Sequence, residues 1–316
     1  MIVTPALASA NNGNWQTAQR WAGMLAPAYR VRLAVAWEAG DEALMIALHA
    51  RRSASSIARW RAMRPGAPLL VVLTGTDLYR DINHDAQAQA SLQAADRLVV
   101  LNELGAAALP AALRPKASVV LQSCAARQPV AKTKTARYLR ALMVGHLREE
   151  KSPRTYFEAA RRLAGRHDIL LDHVGAALDP DLGLQATRLM DEAPHYRWLD
   201  ALPHGATRRR IQAAHVLVHA SRMEGGAHVV IEAVRSGTPV LASRIDGNLG
   251  LLGADYGGYF APGDSAALAT LLQQLRDTPA MLDRLQRQCA ARAALFEPAR
   301  ESAALHGLVA ELLAPR

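Results

Sequence analysis

Two glutamates with seven residues between them, Glu224 and Glu232, flank the glycine pair Gly225 and Gly226 in the segment SRMEGGAHVVIEA. A carboxylate can accept hydrogen bonds from two adjacent hydroxyls at once, which is how a ribose presents them. Glycines let the backbone approach a ligand closely, and the first N–H groups of a helix attract a diphosphate. With a helix starting near Ala227, the segment predicts a nucleotide site in which Glu232 binds ribose. The alternative is a solvated acidic pair around a simple turn.

A second candidate loop is GHLREEKSP, residues 145–153, which follows the apolar run LRALMV. Ser152 is a good N-cap and Pro153 a good first helical residue, so Lys151 would directly precede a helix. The lysine charge and the helix dipole would then favour an anion at the same place. This loop predicts a pyrophosphate site, and its alternative is a capped, solvated turn.

Three more loops, all in the first third of the chain, carry polar groups after apolar runs. They read NNGN at residues 11–14, HARRS at residues 49–53 and TGTD at residues 74–77. Two arginines can grip a phosphate, and small hydroxyl residues beside an acid suit an acceptor pocket. The alternatives are an ordinary turn, a solvated helix start and an N-cap formed by Asp77.

These loops need strands to position them, and the chain alternates short apolar runs with longer amphipathic stretches. Such alternation is typical of a parallel sheet with crossover helices. In open parallel sheets, ligands bind beyond the carboxyl ends of the strands, which is where these loops lie. The predicted strands are residues 2–5, 31–35, 44–48, 69–73, 98–101 and 119–121, then 139–144, 169–174, 196–199, 216–219, 239–241 and 258–260.

Two sets of six strands in 316 residues predict two domains rather than one. The polar stretch at residues 123–137 is the best linker, and the chain is helical after Asp264 with a break at Pro298. We therefore expect domains at residues 1–132 and 133–296. Residues 297–316 would form a helix that returns to the first domain.

Composition excludes several classes of protein. The net charge of +9 comes from scattered arginines rather than from basic runs, which argues against nucleic acid. No apolar stretch reaches the length of about 18 residues needed to span a membrane, and the apolar start reads as a buried strand. Two distant cysteines, Cys124 and Cys289, fit a reducing, cytoplasmic compartment. Without a ligand pattern for a metal, we expect no metal and no cofactor. The histidines at 167, 173, 195 and 204 are assigned to surface or core.

Together the loops resemble the GT-B superfamily of glycosyltransferases, in particular its retaining nucleotide-sugar enzymes. The Glu224–Glu232 spacing is similar to the E-x7-E signature of that family, and GHLREEKSP to its Gly-Arg…Glu-Lys loop. His146 stands where the family usually has arginine. The resemblance implies a GT-B fold, with two Rossmann-like α/β domains facing a central cleft and a UDP-sugar bound by the second. It places donor binding on Lys151, Glu224, Gly225, Gly226, Ala227, His228, Val229 and Glu232. Gly13, His146 and Arg148 are further donor-binding candidates.

Longer segments, such as PALASANNGNWQTAQRWA and VVLTGTDLYRDI, resemble the SenB family of selenosugar synthases. That resemblance implies transfer of glucose or N-acetylglucosamine from UDP to selenophosphate in selenoneine biosynthesis, beside enzymes that supply selenophosphate and consume the selenosugar. Lys151, Glu224, Arg52 and Thr76 would be catalytic. The acceptor would be bound by Asn12, Gly13, Asn14, His49, Arg51, Arg52, Thr74, Gly75, Thr76 and Asp77.

Two rival functions remain open. An ordinary glycosyltransferase with a hydroxyl acceptor would need a base, for which Asp77 or His49 could serve. A non-catalytic protein could instead sense UDP-sugars or bind nucleic acid.

Overall fold

A computed structural model describes residues 1–6, 13–130 and 137–315, and within it the chain forms two compact units. Unit 1 comprises Met1–Ser123, Glu224–His228 and Leu295–Arg316, and unit 2 comprises Cys124–Met223 and Val229–Ala294. Asn11, Asn12 and part of the expected linker lie outside the described residues. The domain limits drawn from the sequence stay a prediction.

Unit 1 is built around a six-stranded parallel sheet with the order β2-β1-β3-β4-β5-β6. Its strands are β1 (Ile2–Val3), β2 (Leu33–Ala34), β3 (Met45–Leu48), β4 (Leu69–Leu73), β5 (Arg97–Val100) and β6 (Ala117–Val119). Its helices are α1 (Gly13–Leu25), α2 (Ala54–Met63), α3 (Thr76–Tyr79), α4 (Ala86–Ala94) and, from the end of the chain, α12 (Pro298–Leu313).

Alternate residues of the central strands enter two separate cores, one on each face of this sheet. Leu70 and Val72 of β4 pack in the same core as Trp21 of α1 and Leu305 of α12. Leu69, Val71 and Leu73 of that strand pack in the opposite core, which also contains residues of α2 and α4. Because both faces are covered, all five residues of β4 are buried, as expected of a central parallel strand.

Helix α12 is fixed in unit 1 by the carboxylate of Glu301, which is 1% exposed. Arg20 donates to it through Nε and Nη2, at 2.9 and 3.0 Å, and the Trp21 indole N–H donates at 2.7 Å. The backbone N–H and the hydroxyl of Ser123 donate at 2.8 and 2.6 Å. Five donors thus surround one buried anion, and they join α1, α12 and the segment after β6.

Unit 2 has a second six-stranded parallel sheet, with the order β12-β11-β10-β7-β8-β9. Its strands are β7 (Leu139–Val144), β8 (Ile169–Val174), β9 (Tyr196–Trp198), β10 (Val216–His219), β11 (Val240–Ser243) and β12 (Tyr259–Phe260). The helices that follow these strands are α5 (Pro153–Arg162), α6 (Pro180–Glu192), α7 (His204–Ala213), α8 (His228–Val234), α9 (Asp246–Leu252), α10 (Ser265–Asp277) and α11 (Pro279–Arg292).

The observed strands match the sequence prediction closely. Each of the twelve predicted strands overlaps an observed one, and the largest shift is at β6, which spans Ala117–Val119 rather than residues 119–121. The expected break near Phe296 is a 3-10 turn at Ala293–Phe296, after which Pro298 starts α12 at a position where proline fits. No helix in the described part of the chain is long and apolar enough to cross a membrane.

Replacing Glu301 with glutamine should lower the free energy of unfolding by about 3 kcal/mol, because the partly buried charge of Arg20 would lose its counter-ion. Glu311, on the same helix, pairs with Arg97 at a site where its side chain is 52% exposed. Glu311→Gln is the matched control, and it should change stability by less than about 1 kcal/mol. Urea unfolding of the two variants measures both effects, and equal losses would contradict this role of Glu301.

Candidate functional site

The predicted diphosphate loop and the E-x7-E loop follow neighbouring strands, because β7 and β10 pair in the sheet of unit 2. The strand order reverses at this pair, and the crevice at such a switch point is the usual ligand site of an open α/β sheet. The backbone N–H of Arg222, after β10, donates to the carbonyl of Glu150, after β7, at 2.9 Å. The two loops are therefore held against each other.

The loop after β7 is also fastened to the loop after β8. Leu147 N–H donates to the carbonyl of Ala176 at 2.9 Å. Gly175 has a φ of +155°, and a Cβ there would lie 2.0 Å from the carbonyl oxygen of Gly145. Only glycine allows so close a crossing of the two backbones.

Three basic side chains, those of His146, Arg148 and Lys151, lie on this fastened loop. His146 Nδ1 accepts the N–H of Ala176 at 3.0 Å, so a neutral ring carries its proton on Nε2. The pKa of His146 lies below its usual value because burial, and then the charges of Arg148 and Lys151, disfavour the imidazolium. His146 is thus a neutral N–H donor, and Arg148 and Lys151 supply the positive charge.

Arg148 has a buried Nε atom with no hydrogen-bond partner among the described residues. The aliphatic part of Lys151 lies over Gly145, where an added Cβ would be 3.4 Å from its Cγ and Cδ. A buried guanidinium N–H beside a lysine needs an acceptor, and an anion would provide one. The loop therefore has the composition of an anion site.

Ser152 departs from the expected cap. It precedes Pro153 at the start of α5, as predicted, but its backbone is left-handed, with φ and ψ both 50°. Its hydroxyl meets the hydroxyl of Thr155 at 2.9 Å and makes no capping bond to an N–H group. The prediction of a side-chain cap was wrong. A capping residue normally has an extended backbone, which turns its side-chain oxygen toward the first N–H groups of the helix.

Glu232 lies in the second turn of α8 and is 4% exposed, which rules out the alternative of a solvated surface residue. The Nε2–H of His204 donates to its Oε1 at 2.6 Å, and Arg208 Nε lies 3.8 Å from the same oxygen. The hydrogen bond to Glu232 raises the pKa of His204 above its usual value. Both partners are on α7, and together they orient the Glu232 carboxylate.

Glycines 225 and 226 have a structural role that the sequence did not indicate. Within unit 1, a Cβ on Gly225 would lie 2.5 Å from the carbonyl carbon of Thr74, and one on Gly226 would lie 2.7 Å from Cβ of Leu101. The absent side chains are thus required by protein backbone and core packing, and closeness to a ligand is not needed to explain them. The other interpretation, a simple turn, does not account for these close approaches either.

In unit 1, the predicted acceptor loops at residues 49–53 and 74–77 follow β3 and β4, which pair in the sheet. His49 is 3% exposed and bridges the two loops, because its Nδ1 accepts the Arg52 N–H at 3.3 Å and its Nε2 bonds Thr76 Oγ1 at 3.1 Å. Burial lowers the pKa of His49 more than the nearby Asp77 raises it. His49 is therefore a neutral ring that donates to Thr76.

Asp77 is fully buried and also joins these loops. Its Oδ1 accepts the N–H groups of Thr74 and Gly75, both at 2.9 Å, and its Oδ2 accepts that of Ala50 at 2.9 Å. It does not cap α3 as the alternative interpretation expected, since it bonds N–H groups that precede the helix. Both oxygens of its carboxylate thus accept hydrogen bonds from backbone N–H groups.

The two predicted arginines differ in their surroundings, although both are exposed. Arg51 Nε bonds Asp85 at 2.9 Å, and its Nη1 lies 3.8 Å from Asp81. Arg52 has no ion-pair partner among the described residues. Gly13 and Asn14 start α1, Ala227 is buried, and Val229 is half-buried in the first turn of α8.

The structure adds residues that the sequence analysis did not select. His204 had been assigned to surface or core, and Arg208 had no role. Both contact Glu232 from α7, more than twenty residues earlier in the chain, so no local motif could mark them. Among the described residues, no three His, Cys, Asp or Glu side chains are grouped as metal ligands would be.

Comparison with known proteins gives one family match. The family model described as "Glycosyl transferases group 1" matches residues 106–294, which is more than half of the chain. A search of curated protein sequences found no match.

Solved structures with the same architecture are numerous and have low sequence identity. HepE from Anabaena, in complex with UDP-glucose, is 14% identical with a TM-score of 0.69, covering 85% of this chain and 79% of HepE. Sucrose-phosphate synthase from Thermosynechococcus elongatus is 20% identical with a TM-score of 0.69, over 85% and 73%. A mutant of S. aureus TarM bound to UDP, fondaparinux and a GlcNAc-glycerol is 11% identical with a TM-score of 0.67, over 86% and 55%. The chain thus spans about half of TarM. The shared architecture confirms the predicted GT-B fold.

The tautomer of His146 can be checked by nitrogen-detected NMR, which should show a neutral ring with its proton on Nε2 at pH 7. Its midpoint of protonation should lie below the usual value of about 6.5. Because the unfolded chain then binds the proton more readily, the contribution of His146 to stability is complete above that value and is lost as the pH falls. A midpoint above 6.5, or a proton on Nδ1, would contradict the geometry.

Proposed function

The chain belongs to the group 1 glycosyl transferases, and we propose that it transfers a sugar from UDP to a small anionic acceptor. The observation that carries this proposal is the buried Nε of Arg148, which has no hydrogen-bond partner among the described residues. It lies on the loop after β7, which is hydrogen-bonded to the loop after the neighbouring β10 that leads to Glu232. The solved relatives HepE and TarM, which have the same fold, are described as complexes with UDP-glucose and with UDP.

In this proposal the diphosphate of the donor occupies the loop after β7. Arg148 Nε–H and the Lys151 ammonium bind its oxygens, and the Nε2–H of His146 donates a further bond without adding charge. The ribose hydroxyls donate to Glu232, whose orientation is set by His204 and by the nearby Arg208. The diphosphate and the ribose of UDP then each have complementary partners.

The chemical step breaks the bond between C1 of the sugar and the diphosphate oxygen, which leaves with the electron pair as UDP. Negative charge grows on that oxygen in the transition state, so cations fixed beforehand stabilise the transition state more than the bound substrate. Arg148 and Lys151 are proposed to do this, while Glu224 lies beside the sugar. The nucleophile forms its new bond to C1.

For the acceptor we propose selenophosphate, as the resemblance to selenosugar synthases implies. Selenium attacks C1 and forms the carbon–selenium bond, and water then cleaves the selenium–phosphorus bond to release phosphate. Asp77 and His49 support an acceptor that arrives ionised, because both side chains are already engaged, by backbone N–H groups and by Thr76. A neutral hydroxyl would find neither of them available as its base.

A direct assay separates this acceptor from the family's hydroxyl acceptors. UDP release from UDP-glucose or UDP-N-acetylglucosamine would be followed with selenophosphate, with a panel of alcohols and with neither, and the products identified by mass spectrometry. Release that requires selenophosphate and gives a selenium-containing sugar supports the proposal. UDP release that responds only to alcohols would contradict the selenophosphate proposal and indicate a transferase with a hydroxyl acceptor.

Arg148→Ala should lower kcat/KM by about 100-fold, because one charged donor to the leaving group is lost. Arg154 is the matched control: it lies on α5 and makes an exposed ion pair with Glu149. Arg154→Ala should stay within about twofold of the parent enzyme. Steady-state rates of UDP release measure both variants, and similar effects in the two would refute the role of Arg148.

Arg52→Ala should raise the KM for selenophosphate by about 10- to 100-fold, as expected for loss of a charged hydrogen bond. Arg51→Ala should have a smaller effect because Asp85 and Asp81 already compensate its charge. The KM is measured at a fixed, saturating UDP-sugar concentration. An unchanged KM in Arg52→Ala would place the acceptor elsewhere.

A further inference from the structure

Asn102, which follows β5 in unit 1, is fully buried and hydrogen-bonds Gly225, the first residue of the glycine pair. Its Nδ2 donates to the carbonyl of Gly225 at 2.7 Å and to the hydroxyl of Tyr79 at 2.9 Å. Its Oδ1 accepts the N–H of Leu104 at 2.9 Å. Both ends of this amide are occupied, so its orientation, and with it the position of the Gly225 carbonyl, is fixed.

Gln122 makes an equivalent contact with the next residue. It is 3% exposed, and the amide orientation that satisfies both of its ends lets its nitrogen donate to the Gly226 carbonyl at 3.2 Å. Its oxygen then accepts from the Thr17 hydroxyl at 2.6 Å and from Arg20 Nη2 at 3.2 Å. Two consecutive glycine carbonyls are thus bound by two buried side-chain amides.

A third anchor lies two residues further along, where the Nε2–H of His228 donates to the carbonyl of Ser123 at 3.1 Å. On the other side, Gly75 is so close to Gly225 that a Cβ on Gly75 would lie 2.9 Å from the Gly225 nitrogen. Glu224 directly precedes Gly225. Its backbone is therefore fixed beside the loop that carries Thr76.

We propose that Asn102 is a positioning residue for sugar transfer, which acts by holding the Gly225 carbonyl so that Glu224 stays beside the Thr74–Thr76 loop. Asn102 acts only through Gly225 and does not touch the substrates. A displacement of about 1 Å in a reacting constellation can cost about 100-fold in rate, so a group of this kind controls turnover. This inference rests on the proposed function, because it assigns Glu224 a place beside the sugar.

The test replaces Asn102 with alanine and measures kcat and the affinity for UDP separately. We expect kcat to fall by about 10- to 100-fold. The calorimetric Kd for UDP should stay within about twofold, because Arg148, Lys151 and Glu232 are supported inside unit 2 by other contacts. Tyr79→Phe is the matched control, since it removes the other acceptor of Asn102 Nδ2 and leaves the bond to Gly225 in place. Its kcat should be close to that of the parent. An unchanged kcat in Asn102→Ala would overturn the proposal, as would a parallel loss of kcat, UDP affinity and melting temperature.

Hydrogen exchange provides a second measurement that does not need activity. The amides of residues 225–228 should exchange at least about tenfold faster in Asn102→Ala than in the parent, while those of residues 142–144 in β7 keep their rates. Unchanged exchange at residues 225–228 would overturn the proposed anchoring. A parent enzyme that releases no UDP with any acceptor would instead refute the proposed function, so the two failures are distinguishable.

Discussion

The arrangement of unit 1 depends on the ion pair and the hydrogen bonds of the buried Glu301 carboxylate. An anion in the protein interior is tolerated only when it is paired and fully hydrogen-bonded, and Arg20, Trp21 and Ser123 meet that requirement together. The same residues extend the network, since Arg20 contacts Gln122 and the carbonyl of Ser123 accepts from His228. Glu301, on the last helix of the chain, thus helps to position residues 224–228, which are more than seventy residues earlier in the sequence.

In unit 2, the loop after β7 brings the charges of Arg148 and Lys151 together with the neutral ring of His146. The crossing of Gly145 and Gly175 fixes the loop after β7, and Ala176 holds His146 as a neutral ring. A third full charge beside Arg148 and Lys151 would repel both of them. A neutral donor in place of the family's usual arginine avoids that cost and keeps a hydrogen bond available.

Much of the fold, and the position of several candidate site residues within it, could be predicted from the sequence. Runs of apolar residues identified the strands because parallel strands are buried on both faces, and the position of Glu232 in α8 followed from its distance to the glycine pair. The contacts of His204, Arg208 and Asn102 could not be predicted, because their partners come from distant parts of the chain. The glycine pair indicated that another group approaches its backbone closely. The sequence did not indicate that, at Gly225, this group is the backbone of Thr74 and Gly75. Asn12 lies outside the described residues, so that assignment stays a prediction.

The hold on the Gly225 and Gly226 carbonyls has a consequence for the thermodynamics of substrate binding. Glycine has the largest backbone freedom of any residue, and a free glycine pair would lose that entropy when a ligand ordered it. Here the buried amides of Asn102 and Gln122 order the glycine pair when the protein folds. The binding free energy of a ligand at this segment would then not be reduced by the cost of ordering the glycine pair.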